Sequence, residues 1–364
     1  MKRILWSLVL AALCHQSVFA KPVNSIATGS DTDTYFQVGE DLHHFVLPEL
    51  ANRKTNGSVE NLKALSKEKG VTFAIVQSDV YQSYVKLANE DSDPAVKEWA
   101  KQLLASLRVV APLYSEEIYF VVRKDSPMNE LQDIENKRMA IGPEGSGSNL
   151  TAKNIYFKLF GRYPRLVQPF IENGVLGDDD KTKFARSALW RLAHPDVGPE
   201  DRQVDVVVLI GGQPVPLLER LGQDFKLLRT NIKNDATEQL LKDYSVGFAD
   251  KKNYPFLPEH VPVMMVQSYL VTAQFRDQAR NNIVQRFAHQ WCDHFDELTK
   301  SGHQKWKESV WSPETPRLPS LLSGWIYSDQ TKPILEQCHP QIVNSASNQQ
   351  ISCSMEDRAI GFCR

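Results

Sequence analysis

The residues with most chemical potential here are glycines and hydroxyls, not acid–base pairs. Gly142-Pro143-Glu144-Gly145-Ser146-Gly147-Ser148-Asn149 follows an apolar run ending at Ile141 and precedes an amphipathic one, so Ser148 is placed to cap a helix. Glycine lets a backbone approach a ligand closely, and amides and hydroxyls at such a turn suit a carboxylate or phosphate. The loop matches a Walker A sequence only at Gly142 and Gly147. Ser148 stands where the lysine must be, which leaves nucleotide hydrolysis unsupported. A serine hydrolase is equally unsupported, because no Gly-x-Ser-x-Gly elbow is present. The nine histidines are scattered, and only His43 and His44 lie near a candidate loop. No catalytic set, and so no enzyme activity, is expected.

Four further segments share this character: Thr28-Gly29-Ser30-Asp31-Thr32-Asp33-Thr34-Tyr35, Asn56-Gly57-Ser58-Val59-Glu60-Asn61, Gln77-Ser78-Asp79 and Gly211-Gly212-Gln213-Pro214. Ser58 and Ser78 are placed to cap the helices that follow them. In open α/β sheets, ligands gather beyond the carboxyl ends of strands, where helix N-termini point N–H groups at them. Taken singly, each loop could simply connect two elements. Together they describe a small polar ligand gripped by backbone amides and hydroxyls.

The elements needed to carry these loops are visible as alternating patterns. Short apolar runs precede longer amphipathic ones at Ser25 to Thr28 and Tyr35 to Leu47, Val71 to Gln77 and Asp79 to Leu87, and Arg138 to Ile141 and Asn149 to Phe160. Val204 to Ile210 is nearly uninterrupted and β-branched, as expected for a parallel strand covered on both faces. The fold class is therefore α/β. Arg276 to Leu298 reads as one long helix with Ile283, Phe287, Trp291 and Phe295 on its core stripe. Ile118 to Arg123 and Val261 to Val271 look like two crossings between lobes with a cleft between them. The charge runs at Asp91 to Pro94 and Asp178 to Lys181 read as surface loops.

Composition bounds the function classes. With 42 Lys+Arg against 44 Asp+Glu in 364 residues, the charge is too even for a nucleic-acid binder. Lys2 and Arg3, the apolar run Ile4 to Leu13 and the ending Val18-Phe19-Ala20 form a secretory signal with cleavage expected after Ala20. That run is too short to cross a membrane, which needs about 20 apolar residues. Leu13 is bulky before Cys14, which argues against a lipoprotein. Four cysteines remain after cleavage, Cys292, Cys338, Cys353 and Cys363, and two C-terminal disulfides are expected in an oxidising compartment. Three pairings are open. A metal site from His289, Cys292, His294, Cys338 and His339 lacks any Cys-x-x-Cys or His-x-x-x-His spacing, so neither metal nor other cofactor is expected.

The segments Gly57 to Leu62, Ala74 to Asp79, Ala111-Pro112-Leu113-Tyr114, Ile141 to Ser148, Thr151-Ala152 and Gly211 to Pro216 resemble, in order and spacing, the TAXI-type solute receptors of tripartite ATP-independent periplasmic (TRAP) transporters. The resemblance runs from about Ser25 to about Phe295. It implies a two-lobed periplasmic binding protein fold of type II, each lobe a sheet flanked by helices. Residues 1–20 would be the signal, 21–124 and 259–364 the first lobe with a C-terminal extension, and 125–258 the second. It implies capture of an amino acid, oxo-acid or dicarboxylate by a periplasmic monomer, for delivery to membrane permease subunits. A receptor of the same fold that signals to a membrane sensor is the alternative, and an exported hydrolase stands behind both.

Carried over by position, the ligand-binding candidates are Tyr35, Ser58, Glu60, Gln77, Asp79, Ser146, Gly147, Ser148, Gly212 and Gln213, and the same loops add Ser30, Asp31, Asp33 and Asn149 as ligand-binding candidates. Two departures from the family qualify this. Its first loop is glycine-rich, whereas here Asp31 and Asp33 add negative charge, which disfavours a purely anionic ligand by about 1 kcal/mol or more per close pair. Either these aspartates meet the amino group of a zwitterion while residues 145–149 hold its carboxylate, or they cap the first helix and face water. The second departure is the tail beyond about Lys300, which has no counterpart and either braces a lobe or docks a partner.

Overall fold

A computed structural model describes residues 24–167, 181–197, 199–321 and 324–338. The expected signal segment, the run Asp178 to Asp180, and Cys353 and Cys363 lie outside the described residues. The strands are β1 (Ser25–Ala27), β2 (Ala51–Arg53), β3 (Val71–Gln77), β4 (Leu107–Arg123), β5 (Arg138–Ala140), β6 (Arg165–Leu166), β7 (Val206–Gly211), β8 (Phe225–Leu227), β9 (Ser245–Ala249) and β10 (Val261–Ala273). The α-helices are α1 (Thr34–Asp41), α2 (Ser58–Lys67), α3 (Ser78–Glu90), α4 (Pro94–Ser106), α5 (Gly147–Phe160), α6 (Lys181–Ala193), α7 (Pro216–Glu219), α8 (Asp235–Leu240), α9 (Gln278–Ser301) and α10 (Lys332–Glu336). Among the described residues, none is long and apolar enough to cross a membrane.

Hydrogen bonds order the strands β2-β1-β3-β10-β4-β7-β5-β6, with β8 added to β4 and β9 to β10. Parallel pairing joins β1 to β2 and β3, and β5 to β6 and β7. β10 runs antiparallel to both β3 and β4, and β4 antiparallel to β7. The fold is thus α/β, as the alternating patterns require. β3 and β7 are buried along their whole length, which accounts for their unbroken apolar sequences.

Side-chain packing divides this sheet. One core takes apolar residues from Ile26 to Tyr114 and from Tyr269 to Cys338. Two others, on either face of the remaining strands, take residues between Ile118 and Val266. The changeover falls inside β4 and β10, at a bulge: Ser115 pairs with Gln267 and Pro112 with Tyr269, so Leu113 and Tyr114 face Ser268 alone. Ser268 holds the bulge by donating its hydroxyl to the Tyr114 carbonyl at 2.6 Å.

α4 was not anticipated. Asp91 to Asp93 is the surface turn expected, but it also starts this helix: the Asp93 carboxylate accepts from the Ala95 amide at 2.8 Å, with Pro94 in the first turn.

The chain after β10 braces the first core. α9 buries Phe287, Trp291 and Phe295, and Trp291 lies 4.9 Å from Trp311, ring centre to ring centre. Trp325 stacks between Tyr81 and Tyr269, at 4.0 and 4.8 Å. Cys292 on α9 is bonded to Cys338 beyond α10, one of the open pairings. That link closes a stretch of 46 residues. Its removal by Cys292→Ser with Cys338→Ser should lower folding stability by about 2–4 kcal/mol, because the unfolded chain regains the freedom of that loop. Urea unfolding of the variant beside the oxidised parent checks this.

Candidate functional site

All five loops named from the sequence contribute to one small cavity. Its walls are Asp33, Thr34 and Tyr35 from the first loop and α1, Gly57 and Ser58 before and at the start of α2, and Gln77 at the end of β3. The other walls are Glu116 of β4, Gly147 and Ser148 of α5, and Ile210 and Gly211 of β7. Its volume is about 10 Å³, close to the room one water molecule needs. A larger cavity of about 490 Å³ lies beside it, between α3 and α5, and takes Ser146 and Asn149 into its wall. The chemistry converges on the smaller one.

Close approach accounts for one glycine and backbone conformation for another. A Cβ on Gly147 would sit 1.8 Å from the Gln77 side-chain oxygen, so a larger residue here would have to move the Gln77 side chain off the start of α5. Gly57 has φ of +115°, a backbone region side chains rarely enter. The capping expectations need correction. Ser58 is the first residue of α2 and its hydroxyl instead accepts from the Gln77 amide at 3.1 Å. Ser78 is likewise inside α3. The cap of α5 is Ser146, whose oxygen accepts from the Asn149 amide at 3.1 Å and donates to the Pro143 carbonyl; Ser148 lies two residues into the helix.

Six of the fourteen candidates line the small cavity: Asp33, Tyr35, Ser58, Gln77, Gly147 and Ser148. Others serve nearby. Ser30 is buried and donates its amide to Asp33 at 3.2 Å, so Asp33 stabilises the loop rather than the helix it precedes. Asp31 is exposed and pairs with Lys54 at 3.0 Å, away from the cavity. Glu60 accepts from the Asn56 amide at 2.9 Å and braces the second loop. Asn149 donates its side chain to the Gly142 carbonyl. Gly212 offers its carbonyl to the Thr34 hydroxyl at 2.7 Å. Gln213 is consumed by Glu117, the Phe248 carbonyl and the Asp250 amide.

Asp79 plays a different part. From α3 it reaches the second half of the molecule, accepting from Thr151 of α5 at 2.6 Å and from Tyr244 at 2.9 Å. The Glu60 amide to Gly145 carbonyl bond at 3.1 Å crosses the same seam. Burial pushes the Asp79 carboxyl up to about 6, with the two hydroxyls pulling the other way.

The residue the sequence reading missed is Glu116. It is buried, and accepts from the Tyr35 hydroxyl at 2.5 Å. Burial, then the Glu116 charge, raises the Tyr35 pKa well above 10, so this phenol stays a donor. Its neighbour Glu117 pairs with Lys305 at 2.7 Å, both wholly inside. Lys305 also reaches Glu308 at 2.6 Å. Burial raises the Glu117 pKa, and Lys305 opposes that rise. A usable signal existed: two adjacent glutamates interrupt an otherwise apolar strand, and buried carboxylates demand partners.

The profile of the NMT1-like family matches residues 26–171, which carry four of the five loops and stop short of Gly211. Among solved structures, similarity extends to the substrate-binding protein of an amino acid ABC transporter, at 12% identity over 78% of this chain and 95% of that one, with a TM-score of 0.38. A Candida albicans protein described as having the generic periplasmic binding protein fold shares 10% identity over 77% and 72%, with a TM-score of 0.43. The periplasmic aliphatic sulphonate binding protein of Escherichia coli shares 14% over 79% and 72%, with a TM-score of 0.37.

Two outcomes follow from the buried charges. In the folded chain Asp79 keeps its proton between about pH 4 and 6, where the unfolded chain has lost it, so stability falls as pH rises through that window and levels off above it. Asp79→Asn should remove this part of the slope, worth up to about 3 kcal/mol between the two limits, in urea unfolding followed from pH 4 to 8. Lys305→Ala strands Glu117 in the interior and should cost about 3–5 kcal/mol. Adding Glu117→Gln to Lys305→Ala should recover part of that loss in the same measurement.

Proposed function

We propose that this chain is a solute-binding receptor of periplasmic type whose two lobes close on a small polar ligand. The lobe boundaries proposed lie within β4 and β10, near residues 115–117 and 267–268, rather than at 124/125 and 258/259. The observation that carries the reading is the convergence of loops from both lobes on one cavity, across a seam tied by Asp79, Thr34 and the Glu60 amide. Such an arrangement grips a ligand with hydroxyls and backbone groups and needs no acid, base or nucleophile. The family resemblance and the NMT1-like match over residues 26–171 support the same class. Delivery of the ligand to a TRAP-type permease is the step this reading assigns to the loaded form.

The test is a thermal-shift screen of amino acids, oxo-acids and dicarboxylates on the purified protein. A true ligand at 100 times its dissociation constant adds about 2.7 kcal/mol of stability, a shift of a few degrees. Ser58→Ala and Gln77→Ala should each reduce that shift while Asp31→Asn leaves it unchanged. Turnover of any compound in the screen would contradict the assignment.

A further inference from the structure

We propose that the short segment after α9 belongs to the solute-binding apparatus: Gln304 and Lys305 are positioning residues that fix the 211–213 loop, which the second half contributes at the cavity. The inference rests on the receptor reading above and says how its site is held in shape.

The segment is anchored to the first half. Gln304–Glu308 forms a short 3-10 turn. Asp41, the last residue of α1, accepts from the His303 amide at 2.7 Å and from the Trp306 indole N–H at 2.8 Å. Trp306 is buried in the first core, and the Val310 amide donates to the Leu113 carbonyl at 2.7 Å. From that base two side chains reach across. Gln304 donates to the Gln213 carbonyl at 2.8 Å. The Lys305 stem lies against Gly212, where a Cβ would come within 2.8 Å of its Cγ, and its ammonium group ends on Glu117 at 2.7 Å.

Glu117 returns that contact to the same loop, accepting from the Gln213 amide at 3.0 Å and from its side chain at 3.1 Å. The Gln213 side chain also ties the loop to the Phe248 carbonyl and the Asp250 amide. Every polar group of Gln213 is thus engaged, and its carbonyl is engaged by Gln304. Directly before it, Gly211 lines the cavity and the Gly212 carbonyl accepts from Thr34, another residue of the cavity wall. A shift of this loop therefore moves the wall and the Thr34 tie together. Bracing the first core requires neither crossing contact, because Gln213 and Gly212 follow β7 in the second half and Glu117 lies on the strand shared by both.

Hydrogen exchange of the full chain without ligand at pH 7, read by mass spectrometry over short peptides across residues 208–217, tests the assignment. Gln304→Ala removes one donor from an exposed residue, and Gln304→Lys keeps a donor of similar reach. Lys307→Ala, exposed on the same turn, is the control. Gln304→Ala should speed exchange at Gln213 and Val215 about 5-fold, the factor equivalent to one net hydrogen bond, with the amides of β3 and α9 unchanged. Gln304→Lys and Lys307→Ala should exchange like the parent. In calorimetric titration with the amino acids, oxo-acids and dicarboxylates of the screen above, a compound that binds the parent should bind Gln304→Ala about 5-fold more weakly and Gln304→Lys like the parent. Unchanged exchange across 208–217 in Gln304→Ala overturns the positioning role, and so does acceleration spread evenly over the chain, which a loss of overall stability would give. Faster exchange with unchanged affinity also overturns it, since the loop is then held by the segment but not used in binding. Absence of any binding compound contradicts the receptor reading itself, and the exchange result alone then decides whether the segment holds the loop.

Discussion

Everything in this molecule is arranged around the antiparallel pairing of β4 with β10. These two strands contribute to all three cores, so the same ladder holds the halves together. A bulge is a place where a strand bends and twists, and here it falls where the cores change over. The Ser268 hydroxyl on the Tyr114 carbonyl restores the hydrogen bonding that the extra residue removes. Under the proposed function, opening of the two halves would bend this stretch, because β4 and β10 run through both.

Two carboxylates sit directly beside that bulge and solve the problem of burial in different ways. Glu117 is neutralised by Lys305, which arrives from the segment after α9. The post-β10 chain therefore reaches the crossing as well as bracing the first core. Glu116 instead takes the Tyr35 hydroxyl and borders the cavity. Removing a carboxylate from water is expensive unless hydrogen bonds or opposite charge compensate, and each of these two has such compensation. Asp79 adds a third buried carboxyl at the seam, and its raised pKa makes contact between the halves easier for the protonated form.

The sequence made the loops legible and pointed to the two crossing strands, Ile118 to Arg123 and Val261 to Val271, but not to the bulge or the buried charges beside it. Gly/Ser-rich turns after apolar runs are local signals, and the backbone needs at Gly57 and Gly147 are met by residues with few alternatives. That is why six candidates line the cavity. Which hydroxyl caps which helix was not legible: Ser58, Ser146 and Ser148 are equivalent locally, and helix starts shifted by one or two residues decide between them. Asp79 was visible as a polar residue at a strand end, yet its partners Thr151 and Tyr244 lie 72 and 165 residues away. Glu116 left a trace, two adjacent glutamates in a largely apolar strand, whereas Lys305 left none. A buried ion pair or a cavity wall is formed by tertiary packing, and no periodicity in either segment announces it.

The central claim is that the β4–β10 crossing is a hinge and that the solute draws the two halves together. Small-angle X-ray scattering of the full chain, with and without the solute found by titration, measures this directly. The radius of gyration should decrease on saturation and recover when the solute is dialysed away. A saturated protein that scatters identically to the free one would contradict closure about this crossing.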